Sequence, residues 1–141
     1  MYSRISAVLL TLLLTTTQCK KDNESDNRAK ELQGSWKLAY TFSMYGYAYP
    51  APGSLSILKF DGYKMLTYAH DTLLKTEPYF INMQKDASTQ ATVPCIIPTL
   101  SSSSEPGRAF SIYNDTLKTY LINVNTIGSS PVGTIYTRYN P

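Results

Sequence analysis

The stretch AFSIYNDTLKTYLINV, residues 109–124, contains two runs of β-branched and aromatic residues separated by Asn114-Asp115. Such runs favour β-strands, and the Asn-Asp pair between them favours a tight turn. The stretch therefore predicts a hairpin made of strands 109–113 and 116–124. A third strand is predicted at residues 132–139, after the turn signal GSSP.

Strand-like runs and turn signals alternate through the rest of the chain. Asp61-Gly62 separates residues 55–60 from 63–69, and Asp-Gly is a strong hairpin signal because both central residues of a type I′ turn need a positive φ. About eight strands with short connections fit a closed or nearly closed barrel, which leaves no unpaired edge. The sequence thus predicts an all-β fold, a small antiparallel up-and-down β-barrel, with no helix beyond a short turn near Asn27–Leu32. The other predicted strands are 34–47, 72–82 and 91–97.

The N-terminal residues have the plan of a secretory signal. Arg4 precedes the apolar run Ile5–Leu14, which is too short to span a bilayer because a transmembrane helix needs about 20 apolar residues. Cys19 follows, and then a charged stretch too poor in apolar groups to offset the entropy of folding. We therefore expect a signal peptide at 1–18, a flexible tether at 19–31 and the barrel domain at 32–141.

The junction around Cys19 resembles the lipobox signal of Gram-negative bacterial lipoproteins. Gln18 and Thr16 stand where lipoboxes usually carry a small and an aliphatic residue, and Lys21-Asp22-Asn23-Glu24 is similar to the stretch that follows the cysteine in some surface-exported lipoproteins. The resemblance implies that Cys19 carries acyl chains such as palmitate. Several acyl chains bind a membrane durably, so we expect anchoring to the outer membrane, facing either the periplasm or the cell surface.

A second resemblance involves the two ends of the barrel domain. The opening Gly34-Ser35-Trp36 is similar to the Gly-x-Trp motif of lipocalins and of the lipocalin-like domains of small bacterial lipoproteins. Arg138, in the final Tyr136-Thr137-Arg138-Tyr139, stands where such domains often carry a basic residue that packs across the tryptophan. The resemblance implies a barrel closed at one end by Gly34, Trp36 and Arg138 and open at the other toward an internal cavity. We favour this structural role over a binding role, since a guanidinium on an indole contributes about 0.5 to 2 kcal/mol without any ligand.

Tyrosines supply the candidate contacts for a ligand or partner. Tyr45, Tyr47 and Tyr49 alternate with small residues, so in an extended strand their rings lie on one side, either as a binding platform or as cross-strand packing. Met65 and Tyr68 are further candidates. An eight-stranded barrel is either filled by its own side chains or holds one small ligand. Alternation predicts an interior that includes Leu55, Ile57, Met65, Leu117 and Leu121.

Composition argues against several classes of function. The formal net charge is only +3 and the basic residues are scattered, unlike a nucleic-acid-binding surface. The single histidine, His70 beside Asp71, stands in a predicted turn without a nucleophile or oxyanion motif, so we expect neither an enzyme nor a cofactor. Cys95 lies in an apolar setting that predicts burial, and one histidine with one free cysteine is too few for a structural zinc site.

Two functions remain open. The first is a lipid-anchored, non-enzymatic binder that holds a small apolar or amphipathic molecule inside the barrel. The second is a cell-surface interaction module with a filled core, which binds a protein or glycan through an aromatic loop at 45–52 and a Ser-rich loop at 98–108. An internal cavity favours the first function, and a filled core with an exposed aromatic patch favours the second.

Overall fold

A computed structural model describes residues 22–99, 107–122 and 132–141. The predicted signal peptide and Cys19 lie outside these ranges, as do most of the Ser-rich loop and the end of the predicted strand 116–124. Within the described ranges the chain forms one helix, α1 (Asp22–Leu32), and nine strands. The strands are β1 (Gly34–Ser43), β2 (Gly46–Ala48), β3 (Ser56–Asp61), β4 (Lys64–Ala69), β5 (Thr72–Lys85), β6 (Thr92–Pro98), β7 (Arg108–Tyr113), β8 (Thr116–Leu121) and β9 (Gly133–Arg138).

The strands form a closed antiparallel barrel. The sheet has the order β2-β1-β3-β4-β5-β6-β7-β8-β9, and an additional pairing of β1 with β9 closes it. Since β2 pairs only with the end of β1, the closed ring contains eight strands, each beside its neighbour in sequence. The prediction of an all-β, up-and-down barrel with a lipocalin-like layout is confirmed.

The predicted first strand, 34–47, is divided into two. β1 pairs with β3 only from Gly34 to Lys37, so the later part of that edge of β1 lacks a partner from β3. The chain turns at Met44-Tyr45, Gly46 takes a φ of 121°, and β2 returns to pair with Thr41–Ser43. An open strand edge exposes unsatisfied backbone groups. The return of the chain as β2 pairs part of the edge of β1 that β3 leaves open, which accounts for the division.

Helix α1 is longer than the short turn predicted near Asn27–Leu32, and it covers most of the stretch predicted as a tether, 19–31. Residues Asp22–Leu32 are helical, and an Arg28–Glu31 ion pair of 3.0 Å spans the last turns. The tertiary structure holds the helix end, because Leu32 is fully buried in the barrel core and its carbonyl accepts a 2.7 Å hydrogen bond from Trp36 Nε1. The local sequence is polar, so this anchoring through Leu32 is a contact that composition does not reveal.

An apolar core fills one end of the barrel. Its buried members are Leu32, Trp36, Phe60, Tyr79, Ile96, Phe110 and Leu117. These residues come from α1 and from six strands. The core thus connects the start of β1 with the end of β3, the middle of β7 and the start of β8. Residues of β1 and β9 beyond this core lead toward the opposite end, which we call the mouth.

The register of β3 corrects part of the predicted interior. Leu58 pairs with Trp36 and Phe60 with Gly34, and Phe60 belongs to the core with Leu58 packed against it. Ile57 therefore lies on the outer face, where it lines a shallow groove. A shift of one residue exchanges the two faces of a strand. Met65 and Leu117 lie inside as predicted, while Leu55 precedes β3 and Leu121 is 37% exposed at the mouth.

Candidate ligand-binding cavity

The structure brings Gly34, Trp36 and Arg138 together at the closed end. Arg138 Cζ lies 3.7 Å from the centroid of the Trp36 ring, and Arg138 Nη1 donates a 2.7 Å hydrogen bond to the carbonyl of Gln33. Gly34 has a φ of 106°, and a Cβ there would lie 3.2 Å from Arg138 Nη1. The glycine thus provides both a conformation that side chains disfavour and the space for the guanidinium.

Gln33 makes a second link at this end, which the sequence did not indicate. Its amide nitrogen donates to the Gly62 carbonyl and to the Tyr79 hydroxyl, both at 3.2 Å. Its amide oxygen accepts from Gly62 N at 2.9 Å. Burial raises the pKa of Tyr79, and the hydrogen bond with Gln33 opposes this. These partners are 29 and 46 residues away from Gln33, so no local pattern could have identified them.

Between the core and the mouth lies a partly enclosed cavity of about 460 Å³. Its volume is within the range of about 300 to 1,000 Å³ typical of small-molecule sites. The barrel is therefore filled at one end and hollow at the other. The apolar part of the lining consists of Leu38, Leu58, Met65, Ile96 and Pro98.

The lining becomes polar toward the mouth. On β1, Leu38 precedes Thr41, and both line the cavity because a bulge between Leu38 and Tyr40 shifts the alternation. On β9, which runs in the opposite direction, Tyr136 lies nearer the core and Thr134 nearer the mouth. On four more strands the polar or charged lining residue also lies nearer the mouth than the core residue of the same strand. These residues are Thr67 after Met65 on β4, Glu77 and Lys75 before Tyr79 on β5, Arg108 before Phe110 on β7, and Thr119 after Leu117 on β8.

Three charged side chains line the cavity: Lys75, Glu77 and Arg108. Lys75 Nζ and Glu77 Oε1 form a 2.6 Å ion pair, in which the Glu77 side chain is only 12% exposed. Among the described residues, no carboxylate lies within ion-pair distance of Arg108. The sequence did not identify these three residues as cavity lining, since charged side chains in strands usually face solvent. The spacing of Lys75 and Glu77, two residues apart on one face, was the available signal.

On β9, Tyr136 is the lining residue nearer the core and Thr134 the one nearer the mouth. Burial raises the pKa of the Tyr136 hydroxyl, while the positive charge of Arg108 and a hydrogen bond with Thr134 lower it. The hydroxyl is therefore protonated at neutral pH and is able to donate a hydrogen bond. Arg108, Thr134 and Tyr136 thus place hydrogen-bond donors on one side of the cavity.

The predicted contact residues separate into three places. Met65 lines the cavity. Tyr68 lies on the outer face, where it lines a shallow groove of about 240 Å³ together with Ile57, His70 and Tyr139. Tyr45, Tyr47 and Tyr49 lie at the β1–β2 hairpin and are 91%, 69% and 71% exposed.

The hairpin tyrosines do not form a single flat platform. The rings of Tyr47 and Tyr49 each lie 5.6 Å from the ring of Tyr40, inclined at 80° and 48°. Tyr45 occupies the turn and makes no ring contact within the described part of the chain. The hairpin therefore presents an exposed aromatic surface beside the mouth, outside the cavity.

Other chemistry-bearing groups do not assemble into a site. Cys95 is fully buried and its burial raises the pKa of the thiol to about 11. Over residues 22–99, 107–122 and 132–141, no three histidine, cysteine or acidic residues are grouped as metal ligands. The helix in the same ranges is not long and apolar enough to cross a membrane.

The chain matches no protein-family model, no curated protein and no solved structure. The fold and cavity therefore define its class by themselves. It is a closed eight-stranded antiparallel barrel of lipocalin-like layout, with one end sealed by a helix and a Trp–Arg pair and a cavity toward the other. Such a barrel is compatible with ligand binding.

Proposed function

We propose that this protein is a non-enzymatic binder that holds one small amphipathic molecule in its barrel. The observation that carries the proposal is the cavity of about 460 Å³ above a filled core. A barrel that binds no ligand would be more stable if its own side chains filled this space, because atoms that line an unfilled volume lose packing contacts. The half-hollow interior is therefore better explained by binding than by stability.

The gradient along the cavity wall supports an amphipathic ligand. An apolar tail seated against Leu38, Leu58 and Met65 removes apolar surface from water, which contributes about 25 cal/mol per Å². A polar head nearer the mouth meets the hydroxyls of Thr41 and Thr134. A wholly apolar ligand would instead place apolar groups against the hydroxyls and charges of this wall and exclude water from them, at a cost in free energy.

The proposal includes export and a lipid anchor on Cys19, with the protein held at the outer membrane on its periplasmic or outer side. Its support is the sequence: the short apolar run before Cys19 and the charged stretch after it. Helix α1 begins at Asp22, three residues beyond Cys19, and its last residue enters the closed end. A lipid on Cys19 would therefore be linked to the barrel through the end opposite the mouth.

Native mass spectrometry tests the binding. A chain starting at Asp22, which retains all of α1, is expressed in its own host and its mass is compared before and after gentle organic extraction. We expect a stoichiometric small-molecule mass that extraction removes. A clean apo mass that persists after incubation with host lipid extract would overturn the proposal.

A matched pair of variants locates the bound molecule. Thr119 lines the cavity and is 2% exposed, whereas Thr116 on the same strand is exposed. Thr119→Phe places a ring in the cavity and should abolish the bound mass, while Thr116→Phe should preserve it. Retention of the molecule by Thr119→Phe would place it elsewhere on the protein.

The exposed tyrosines favour a second candidate, a surface module that binds a protein or glycan. Its expected filled core is absent from the mouth end, but its expected aromatic patch is present at Tyr45, Tyr47 and Tyr49. Aromatic rings are enriched at interfaces because they bury much area at little entropic cost. Replacing all three tyrosines by serine should abolish binding to host glycans or surface proteins if this candidate is correct, and leave the cavity ligand in place.

A further inference from the structure

The charges in the cavity do not cancel. Lys75 and Glu77 neutralise each other at 2.6 Å, which leaves the guanidinium of Arg108 as the excess charge on the lining. Among the described residues, no acidic side chain is close enough to form an ion pair with it. The described residues of the lining therefore carry a net charge of about +1 at neutral pH, since arginine is always protonated.

Arg108 lies between the apolar core and the mouth. It is the first residue of β7, and it pairs with Ile96 of β6, which lines the cavity, and with Leu121 of β8. Two residues further along β7, Phe110 belongs to the core. A ligand with its tail toward the core would thus bring its head group to the height of Arg108.

Neutral donors stand near the guanidinium. Tyr136 and Thr134 line the same cavity as Arg108, and the positive charge of Arg108 acts to lower the pKa of the Tyr136 hydroxyl. Thr119, which pairs with Thr134 across β8 and β9, adds another hydroxyl to the lining. An anion at this position would receive two N–H donors from the guanidinium and O–H donors from the wall.

We infer that the cavity selects amphipathic ligands with a carboxylate head, and that Arg108 binds this head. The inference rests on the proposed binding function and names the ligand class. A planar guanidinium binds a planar carboxylate through two parallel hydrogen bonds, which a lysine ammonium does not reproduce. A monoanion also balances the single excess charge, whereas a dianion would leave negative charge in excess beside Glu77.

The test compares three probes with the same chain and different heads: decanoate, 1-decanol and decylamine. Each is titrated calorimetrically, below its aggregation concentration and at pH 7.5, into the full chain carrying Cys19→Ser, since acyl chains on Cys19 would compete with the probes. The variants are Arg108→Gln, Arg108→Lys and the control Arg28→Gln. Arg28 is an exposed arginine on α1, outside the cavity lining, so the control removes the same charge from elsewhere.

We expect decanoate to bind more tightly than decanol, and decylamine more weakly than both. Charge-assisted hydrogen bonds to an exposed guanidinium correspond to about tenfold in affinity. Arg108→Gln should remove this preference and leave decanol binding unchanged. Arg108→Lys should restore part of it, and Arg28→Gln should keep all of it.

The outcomes separate the inference from the function on which it rests. If decanol and decanoate bind equally to the wild-type chain and to Arg108→Gln, the cavity binds amphipaths but the carboxylate inference is wrong. If Arg28→Gln weakens decanoate as much as Arg108→Gln does, the effect is that of net charge and the role of Arg108 is overturned. If none of the three probes binds, both the inference and the proposed function fail.

Discussion

Replacing Arg138 by methionine removes the guanidinium from the closed end while keeping a side chain of similar length. Three interactions are lost: the stacking at 3.7 Å on the Trp36 ring, the 2.7 Å hydrogen bond to the Gln33 carbonyl and a longer hydrogen bond of 3.4 Å to the Glu31 carbonyl. The stacking contributes about 0.5 to 2 kcal/mol, and a hydrogen bond from a charged donor about 1.5 to 3 kcal/mol. Because Arg138 is half-buried, we expect Arg138→Met to lower the free energy of unfolding by about 2 to 4 kcal/mol.

Urea denaturation followed by the fluorescence of Trp36, the only tryptophan, measures this loss directly. Circular dichroism is recorded in parallel, because the substitution itself changes the surroundings of the indole. Arg138→Lys should cost less than Arg138→Met, since the ammonium retains the charge but not the planar stacking. Arg28→Met is the control: its exposed pair with Glu31 should contribute less than about 1 kcal/mol.

The refuting result is an Arg138→Met protein whose unfolding free energy stays within about 0.5 kcal/mol of wild type, the usual range for surface substitutions. The closed end would then be held by the apolar core alone. An equal loss in the Arg28→Met control would show that total charge, and not the contact with Trp36, determines the stability.

Three further predictions address the register of β3, the helix and the buried thiol. Leu58→Asp should prevent folding while Ile57→Asp leaves the barrel intact, because of these two residues only Leu58 faces the interior. Circular dichroism of both variants measures this, and folding of both variants to the same extent would contradict the register of β3. Leu32→Ala should cost about 2 to 5 kcal/mol and release α1, seen as fast amide exchange over Asp22–Leu32; unchanged protection would show that the helix holds without this contact. Cys95 should resist iodoacetamide at pH 8 in the folded protein and react once unfolded, because its thiol is buried and its folded-state pKa is raised to about 11. The contribution of this thiol to the free energy of unfolding is present below about pH 9 and is lost as the pH rises toward 11. Rapid labelling of the folded chain would exclude this burial.

The prediction of the fold succeeded because it depended on local chemistry. Asn114, Gly62 and His70 have positive φ values at predicted turns, and such conformations are accessible to few residue types, so they can be recognised one turn at a time. Antiparallel strands joined by such turns pair with their neighbours in sequence. The strand order and the barrel class follow from these steps without knowledge of distant contacts.

The closed end was also within reach of the sequence, through resemblance. The Gly-x-Trp opening and the terminal Tyr-x-Arg-Tyr named Gly34, Trp36 and Arg138, which the structure places in contact. Gln33 and Tyr79, which link the same end to the β3–β4 turn, belong to no such motif. The export signal and the lipid on Cys19 stay predictions from sequence.

The cavity and its charges were decided by the tertiary structure alone. A strand's alternation shows that two faces exist, but which face is interior depends on register, and in β3 the pairing of Leu58 with Trp36 sets it. In β1 a bulge after Leu38 changes the alternation, so that Thr41 also lines the cavity. Arg108 lines the cavity because β7 is part of a closed ring and because the core, which includes Phe110 of the same strand, occupies only the closed end of the interior. The sequence by itself thus determined most of the strands, the turns and the order of pairing, which depend on local properties. Closure of the ring determined which residues share the interior, because that depends on contacts between residues far apart in the chain.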